Sequence, residues 1–296
     1  MEPGKTPFEV IRGRSLVWRG LLALIAALII GAYVRASWLS DPPWEHTFYA
    51  IEGVLFNAIL MLLVARLLSR ANVTPEALVG PDPSWATLRR FTLLPFPLIV
   101  FAVASLYLLH VPLSYVAPGF VEALVLDGPP LMLCTPVADA GVLNLMTFFA
   151  AVLTGPVVEE LVFRGVLLTR WSLKWNLSVG ILGSSAAFGL LHIDVVGAFF
   201  FGCVMCLVYI ETKSLVVPIL VHVTYNGICW ILAGVDFVFG DPEATLTVAE
   251  WQSQWWVGPV AAVVVAPWVI WFLKNRFRLT DWRIPYETSD PNGGSN

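Results

Sequence analysis

Eight apolar runs, each close to the length needed to cross a bilayer, set the limits on what this chain can fold into. About 20 predominantly apolar residues span the hydrocarbon as an α-helix. Such runs occupy residues 16–36, 47–67, 91–112, 143–165, 177–193, 195–211, 215–234 and 254–273. The chain of 296 residues is 58% hydrophobic and only 13% charged, whereas an ordinary soluble domain carries about 25% charged residues. So few charges could not coat a soluble surface. The sequence predicts an all-α polytopic membrane protein of about eight transmembrane helices, without a visible internal repeat. A net charge of −4 offers no basic face to nucleic acid, and there is no glycine-rich phosphate loop.

The basic residues orient the runs. Lys5, Arg12, Arg14 and Arg19 precede or open the first, and Arg66, Arg70, Arg89 and Arg90 lie between the second and third. Arg164, Arg170 and Lys174 follow the fourth, Lys213 the sixth, and Lys274, Arg276, Arg278 and Arg283 the eighth. Of the 17 basic residues only Arg35 falls on the other side. By the positive-inside rule both termini are expected in the cytoplasm. Trp18, Trp38, Trp44, Trp171, Trp175, Trp251, Trp255 and Trp256 sit near span ends, as an interfacial belt would. The organisation expected is a cytoplasmic segment 1–15, helices 1–3 with an outer loop over 16–139, a core over 140–235, a last loop and helix over 236–275, and a tail 276–296. The Pro- and Gly-rich stretch 113–142 reads as that outer loop, and the tail from Ile284 onward as disordered. Cys203 and Cys206, three apart in an apolar run, read as helix packing rather than a metal pair.

Ionisable residues within membrane spans point to function by default, and here they cluster in the second half. In Glu159-Glu160-Leu161-Val162-Phe163-Arg164, helix geometry places Glu160 and Arg164 one turn apart on one face. Glu159 points about 100° away from Glu160, free to face something else. Upstream, Thr154-Gly155-Pro156 is expected to break and kink the helix, because proline has no N–H to donate. Phe188 and His192 share the face of another helix, and His222 and Asn226 that of a third. Each cluster alone has a plainer reading, as an interfacial charge patch or as polar glue between helices. Three of them within 68 residues supply a base, imidazoles and hydrogen-bond donors, the parts for water attack on a carbonyl.

The patterns E-E-x-x-x-R, F-x-x-x-H and H-x-x-x-N, in that order on successive helices, resemble the CAAX protease and bacteriocin-processing (CPBP, or Abi) family, which includes the type II CAAX prenyl endopeptidases. The resemblance covers residues 140–235, placing the catalytic core in helices 4–7. It implies that Glu159 and His192 activate the attacking water and that His222 and Asn226 hold the oxyanion. Glu160 and Arg164 would support the site and Phe188 would line it. It implies an endopeptidase acting on a membrane-associated protein or peptide, prenylated or bearing a C-terminal sorting signal, from within the lipid bilayer of a bacterial plasma membrane. A metal-independent, glutamic-type mechanism with no cofactor is the expectation. The alternative is a divalent metal such as Zn²⁺ on Glu159, His192 and His222.

Other intramembrane protease signatures are missing from the sequence: H-E-x-x-H, the rhomboid G-x-S-G, and the aspartyl G-x-G-D. Two other function classes compete. One is a non-catalytic scaffold or immunity protein that keeps the fold, and the other is a proton-coupled carrier, which would usually show repeated halves. Depth adds a requirement. A fourth helix ending at Arg164 would leave Glu159 near one membrane edge and His192 near the other. Cooperation between them therefore predicts that this helix continues past Arg164 toward Trp171.

Overall fold

The structure is a computed structural model and describes residues 7–38, 47–127, 140–239, 246–276 and 283–284. Among these residues the regular structure is helical, with no strand. Eight principal helices follow in order: α1 (Gly13–Trp38), α2 (Thr47–Arg70), α3 (Pro95–Val116), α4 (Gly141–Lys174), α5 (Leu177–Gly189), α6 (Val195–Thr212), α7 (Val216–Phe239) and α8 (Val257–Arg276). Seven of them are long and apolar enough to cross a membrane. Their apolar side chains face outward, as in Val263 (74% exposed) and Leu62 (61%). A soluble monomer rarely displays so much continuous apolar surface. The chain is an all-α, multi-pass membrane protein.

The fifth expected span is the exception. Residues 177–193 yield only α5, 13 residues long, which rises about 20 Å against a hydrocarbon thickness of about 30 Å. The reason is local. At Gly189 an added Cβ would lie 2.8 Å from the Val195 carbonyl oxygen and 3.1 Å from Phe199 Cβ, so the chain can turn back tightly only where no side chain intrudes. Asp194 then caps α6, accepting from the Gly197 N–H at 3.0 Å. The chain thus turns back into α6 after only 13 residues of α5, and this turn carries His192.

The longest element is α4, which runs unbroken through Arg164 to Lys174, as the depth argument requires. Pro156 does not break it. Instead, two π-helical stretches, Phe148–Thr154 and Leu161–Leu168, flank the α-helical turn Gly155–Glu160 that carries both glutamates. Behind α4 lies α6, the most enclosed helix, with Val204, Met205, Cys206, Tyr209 and Ile210 at 0–1% exposure. The Cys206 thiol is free and packs against the hydroxyls of Ser184 and Ser185. The pairs α1–α2 and α3–α8 pack on either side of this centre.

The stretch expected as an outer loop begins as helix: α3 runs to Val116, and Pro118–Val121 and a π-helical Glu122–Leu126 follow. Residues 128–139 lie outside the described residues, as does the tail beyond Ile284. Of the last 20 residues only Arg283 and Ile284 are described: Ile284 is buried and Lys213 Nζ donates to the Arg283 carbonyl.

Two outcomes follow from this packing. Gly189→Val forces α5 off α6 and lowers stability by about 1–3 kcal/mol, the usual range for overpacking, readable as a lower melting midpoint in detergent. Outside the membrane, the short helix Val248–Ser253 opens with a reciprocal cap between Thr247 and Glu250. Hydrogen bonds from the Thr247 backbone N–H and hydroxyl hold the Glu250 carboxyl below its ordinary pKa. A lowered acid pKa stabilises above the ordinary value and the gain is lost as pH falls through the lowered one. Amide protection over 248–253, measured against the intrinsic exchange rate at each pH, should therefore fall on acidification, and Thr247→Ala should remove that change in protection.

Candidate active site

Two helical turns place the charged residues. In the turn Gly155–Glu160, successive glutamates point to different sides of α4: Glu159 keeps 36% side-chain exposure and lines a cavity, while Glu160 is fully buried. Arg164, one turn on, is also fully buried and donates from Nη1 to Glu160 Oε1 at 2.8 Å. Its guanidinium lies 4.5 Å from the Phe188 ring centroid and 5.9 Å from that of Phe201. This cation–π contact compensates a charge with few other options, since Arg164 Nε and Nη2 find no hydrogen-bond partner among the described residues.

His222 reaches the same carboxylate from α7. Its Nδ1 donates to Glu160 Oε1 at 2.8 Å, because a carboxylate already serving Arg164 can only accept. That fixes the tautomer. In the neutral ring Nε2 is left bare, and it faces Glu159 Oε2 at 3.7 Å. His192 is oriented by the same logic from the α5–α6 turn. Its Nδ1 donates to the Phe188 carbonyl at 2.8 Å, leaving Nε2 as the available nitrogen. Both imidazoles thus expend Nδ1 on orientation and keep Nε2 for chemistry.

Phe188 does not line the cavity. It is 2% exposed and forms the packing behind it, its ring 4.3 Å from His192 and 6.0 Å from His222. Phe201 completes this wall at 4.7 Å from His222.

Asn226 is explained by Pro156. In the π-helical stretch the Gly155 N–H is drawn to the Ala150 carbonyl, and Pro156 has no N–H to offer. The Ala151 carbonyl is therefore left without a donor from its own helix, and Asn226 Nδ2 donates to it at 2.7 Å. From the opposite side Asn57 Nδ2 donates to the Ala150 carbonyl at 2.9 Å and to Thr154 Oγ1 at 3.1 Å. An irregular backbone at membrane depth needs such partners. The proline accordingly produces a clamped bulge in place of the expected kink.

The cavity measures about 1010 Å³ and opens between α1, α2, α4 and the α5–α6 turn, with Glu159 and His192 both in its wall. His222 and Asn226 lie behind that wall. Among the described residues no group of three or more His, Cys, Asp or Glu side chains is placed to hold a metal ion.

Residues 141–228 match the family model described as type II CAAX prenyl endopeptidase Rce1-like. That segment contains all seven motif residues. Over this segment the chain is similar to the CPBP family. The chain is also 33% identical over 115 residues to the membrane-embedded CAAX protease MroQ of Staphylococcus aureus, a match taking in 36% of this chain and 44% of that relative's length. No solved structure matches the chain.

One residue that shapes this site escaped the sequence reading. Asp194 fixes the turn bearing His192 through its cap on α6 and also accepts from Ser105 Oγ at 2.5 Å. Its signal was there, an acidic residue immediately before an apolar helix. Asn57 on α2 holds the bulge before the glutamates.

Removing Arg164 while leaving Glu160 strands a buried charge, and Arg164→Met should lower stability by about 3–5 kcal/mol. Adding Glu160→Gln to Arg164→Met should restore much of the loss, measured as a double-mutant cycle of unfolding midpoints. Asn226→Ala should cost about 1–3 kcal/mol through the orphaned Ala151 carbonyl, whereas Asn226→Gln offers the same donor at a different reach.

Proposed function

We propose that the chain is an intramembrane endopeptidase that hydrolyses a peptide bond near the C-terminus of a membrane-associated protein or peptide. The observation that carries this reading is the presence of Glu159 and His192 in one cavity wall, with His192 Nδ1 held by the Phe188 carbonyl and Glu159 standing outside the buried Glu160–Arg164–His222 cluster. The name of the Staphylococcus aureus relative supports a CAAX-type processing role.

In the proposed reaction the Glu159 carboxylate takes a proton from a water molecule while His192 Nε2 orients it. The resulting hydroxide attacks the scissile carbonyl. The C–N bond then breaks as the proton passes from Glu159 to the leaving nitrogen, giving a carboxylate and an amine. General base catalysis of this kind contributes about 10²–10⁴-fold.

The tetrahedral oxyanion needs donors. Asn226 commits one amide proton to Ala151 and retains the other. His222 can donate only from Nε2, since its Nδ1 proton belongs to Glu160, so its oxyanion role requires the imidazolium. The proposed scheme is carried by side chains alone. The basic ends of the helices would face the cytoplasm of a bacterial plasma membrane.

The test compares C-termini of membrane proteins by mass spectrometry in cells carrying the wild-type chain or Glu159→Ala at equal abundance. Uncleaved precursors should accumulate only with the variant. Identical termini would instead favour a non-catalytic scaffold or immunity protein. In purified form Glu159→Gln should lower turnover by at least about 10²-fold with an unchanged melting midpoint, because Glu159 is half-exposed and outside the buried ion pair.

A further inference from the structure

The cavity has a second pole. Arg170 and Lys174 lie on α4 beyond Glu159, and Arg12 and Arg14 lie at the start of α1; all four line the same cavity, beside Trp171 and Trp175. Between the poles its wall is aliphatic, with Leu16, Leu21, Leu24, Leu60 and Val162. Glu159 is the one acidic residue in the lining. The charge is therefore separated, anionic at the reactive end and strongly cationic at the other.

The basic pole is built into the fold. Phe8 and Ile11 are buried at 0% and 1% exposure, anchoring the segment that leads into Arg12 and Arg14. Arg170 Nε donates to the Ile11 carbonyl at 2.6 Å, which fixes the guanidinium and leaves both its Nη groups for a ligand. A Cβ on Gly13 would sit 3.2 Å from Trp171 Nε1, so the first turn of α1 lies directly on the last turns of α4. Lys174 Nζ rests 4.4 Å from the Trp175 ring centroid. None of these four bases pairs with a carboxylate among the described residues. Topology alone asks for basic residues on this face, but it does not gather them around one opening. Arg90, at the same ends of the bundle, is by contrast already paired with Glu211 at 2.6 Å.

At about 1.5 Å of rise per residue, Arg170 stands roughly 16 Å and Lys174 roughly 22 Å along α4 from Glu159. An extended peptide covers about 3.3–3.6 Å per residue, so five to seven residues bridge the two poles. We propose that this cavity selects peptides carrying a carboxylate, as an acidic side chain or a free C-terminus, about five to seven residues from the bond presented to Glu159, with apolar residues between. The position of the bond rests on the protease reading above, but the binding preference can be measured without cleavage.

The test uses the full-length Glu159→Gln chain in phosphatidylcholine nanodiscs and fluorescence anisotropy of labelled nonapeptides sharing one apolar core. Three are C-terminally amidated, with an Asp pair at the N-terminal end, an Asp pair at the C-terminal end, or Asn pairs at both. A fourth has the Asn pairs and a free C-terminal carboxylate, which separates the two sources of the anion. At least one carboxylate-bearing peptide should bind about tenfold more tightly than the amidated Asn peptide, the effect of a few partly desolvated ion pairs. The preference should shrink to within about twofold as salt rises through the range that screens exposed charges, and in an Arg12→Gln/Arg14→Gln/Lys174→Gln variant with an unchanged melting midpoint. Equal binding of all four peptides overturns the proposal, and so does a preference that resists both salt and the triple substitution. Loss of the preference in nanodiscs containing phosphatidylglycerol also overturns it, because the mouth would then be a lipid headgroup site. Incubating the wild-type chain with the same peptides separates the two readings: selective binding without any cleavage removes the protease and leaves the selectivity, and unselective cleavage does the reverse.

Discussion

A single carboxylate oxygen, Glu160 Oε1, holds the centre of this protein together. It accepts from Arg164 on its own helix and from His222 on α7, and Arg164 in turn stacks on Phe188 of α5. Three helices therefore meet through one buried ion pair. Such a pair contributes little net stability compared with apolar packing of the same volume, yet is very costly to break on one side. What it provides here is direction. With Nδ1 of His222 committed, the remaining nitrogen must face Glu159, and a purely aliphatic centre could not impose that.

Irregularity in the backbone serves the same end. A straight α4 would carry its two glutamates on faces set only by the distance from the helix start. The π-helical stretches on either side of Gly155–Glu160 change that phase, and π-bulges of this kind are frequent at functional sites. Lipid exacts full hydrogen bonding from any such departure. Asn57 and Asn226, from helices on opposite sides, supply it at adjacent carbonyls. The residue that the CPBP resemblance assigns to the oxyanion is thereby also a support for the helix that bears Glu159, the glutamate the same resemblance assigns to catalysis.

Much of this was legible in the sequence because the bilayer leaves few options. Hydropathy located the helices, and the expense of charge in lipid made Glu159, Glu160, Arg164, His192 and His222 conspicuous. The i, i+4 spacing paired Glu160 with Arg164, and the depth mismatch of Glu159 and His192 foretold the length of α4. What stayed hidden depends on contacts between distant segments. A proline in an apolar run looks like a kink until a neighbouring asparagine is known to reach the freed carbonyl. Residues 177–193 look like a span because hydropathy does not register that Gly189 permits a turn. The basic residues at 12, 14, 170 and 174 read as topology signals, since 156 residues separate Arg14 from Arg170 in the chain.

The shortness of α5 has a consequence for the lipid itself. A helix about 10 Å too short for the hydrocarbon, ending in the exposed Leu190 and Leu191, creates local hydrophobic mismatch. Acyl chains next to it must shorten or tilt, and the bilayer thins there. A bilayer thinned beside the turn that carries His192 would give a polar peptide backbone less hydrocarbon to cross from that side, where a hydrolytic site would need water and amide groups to enter.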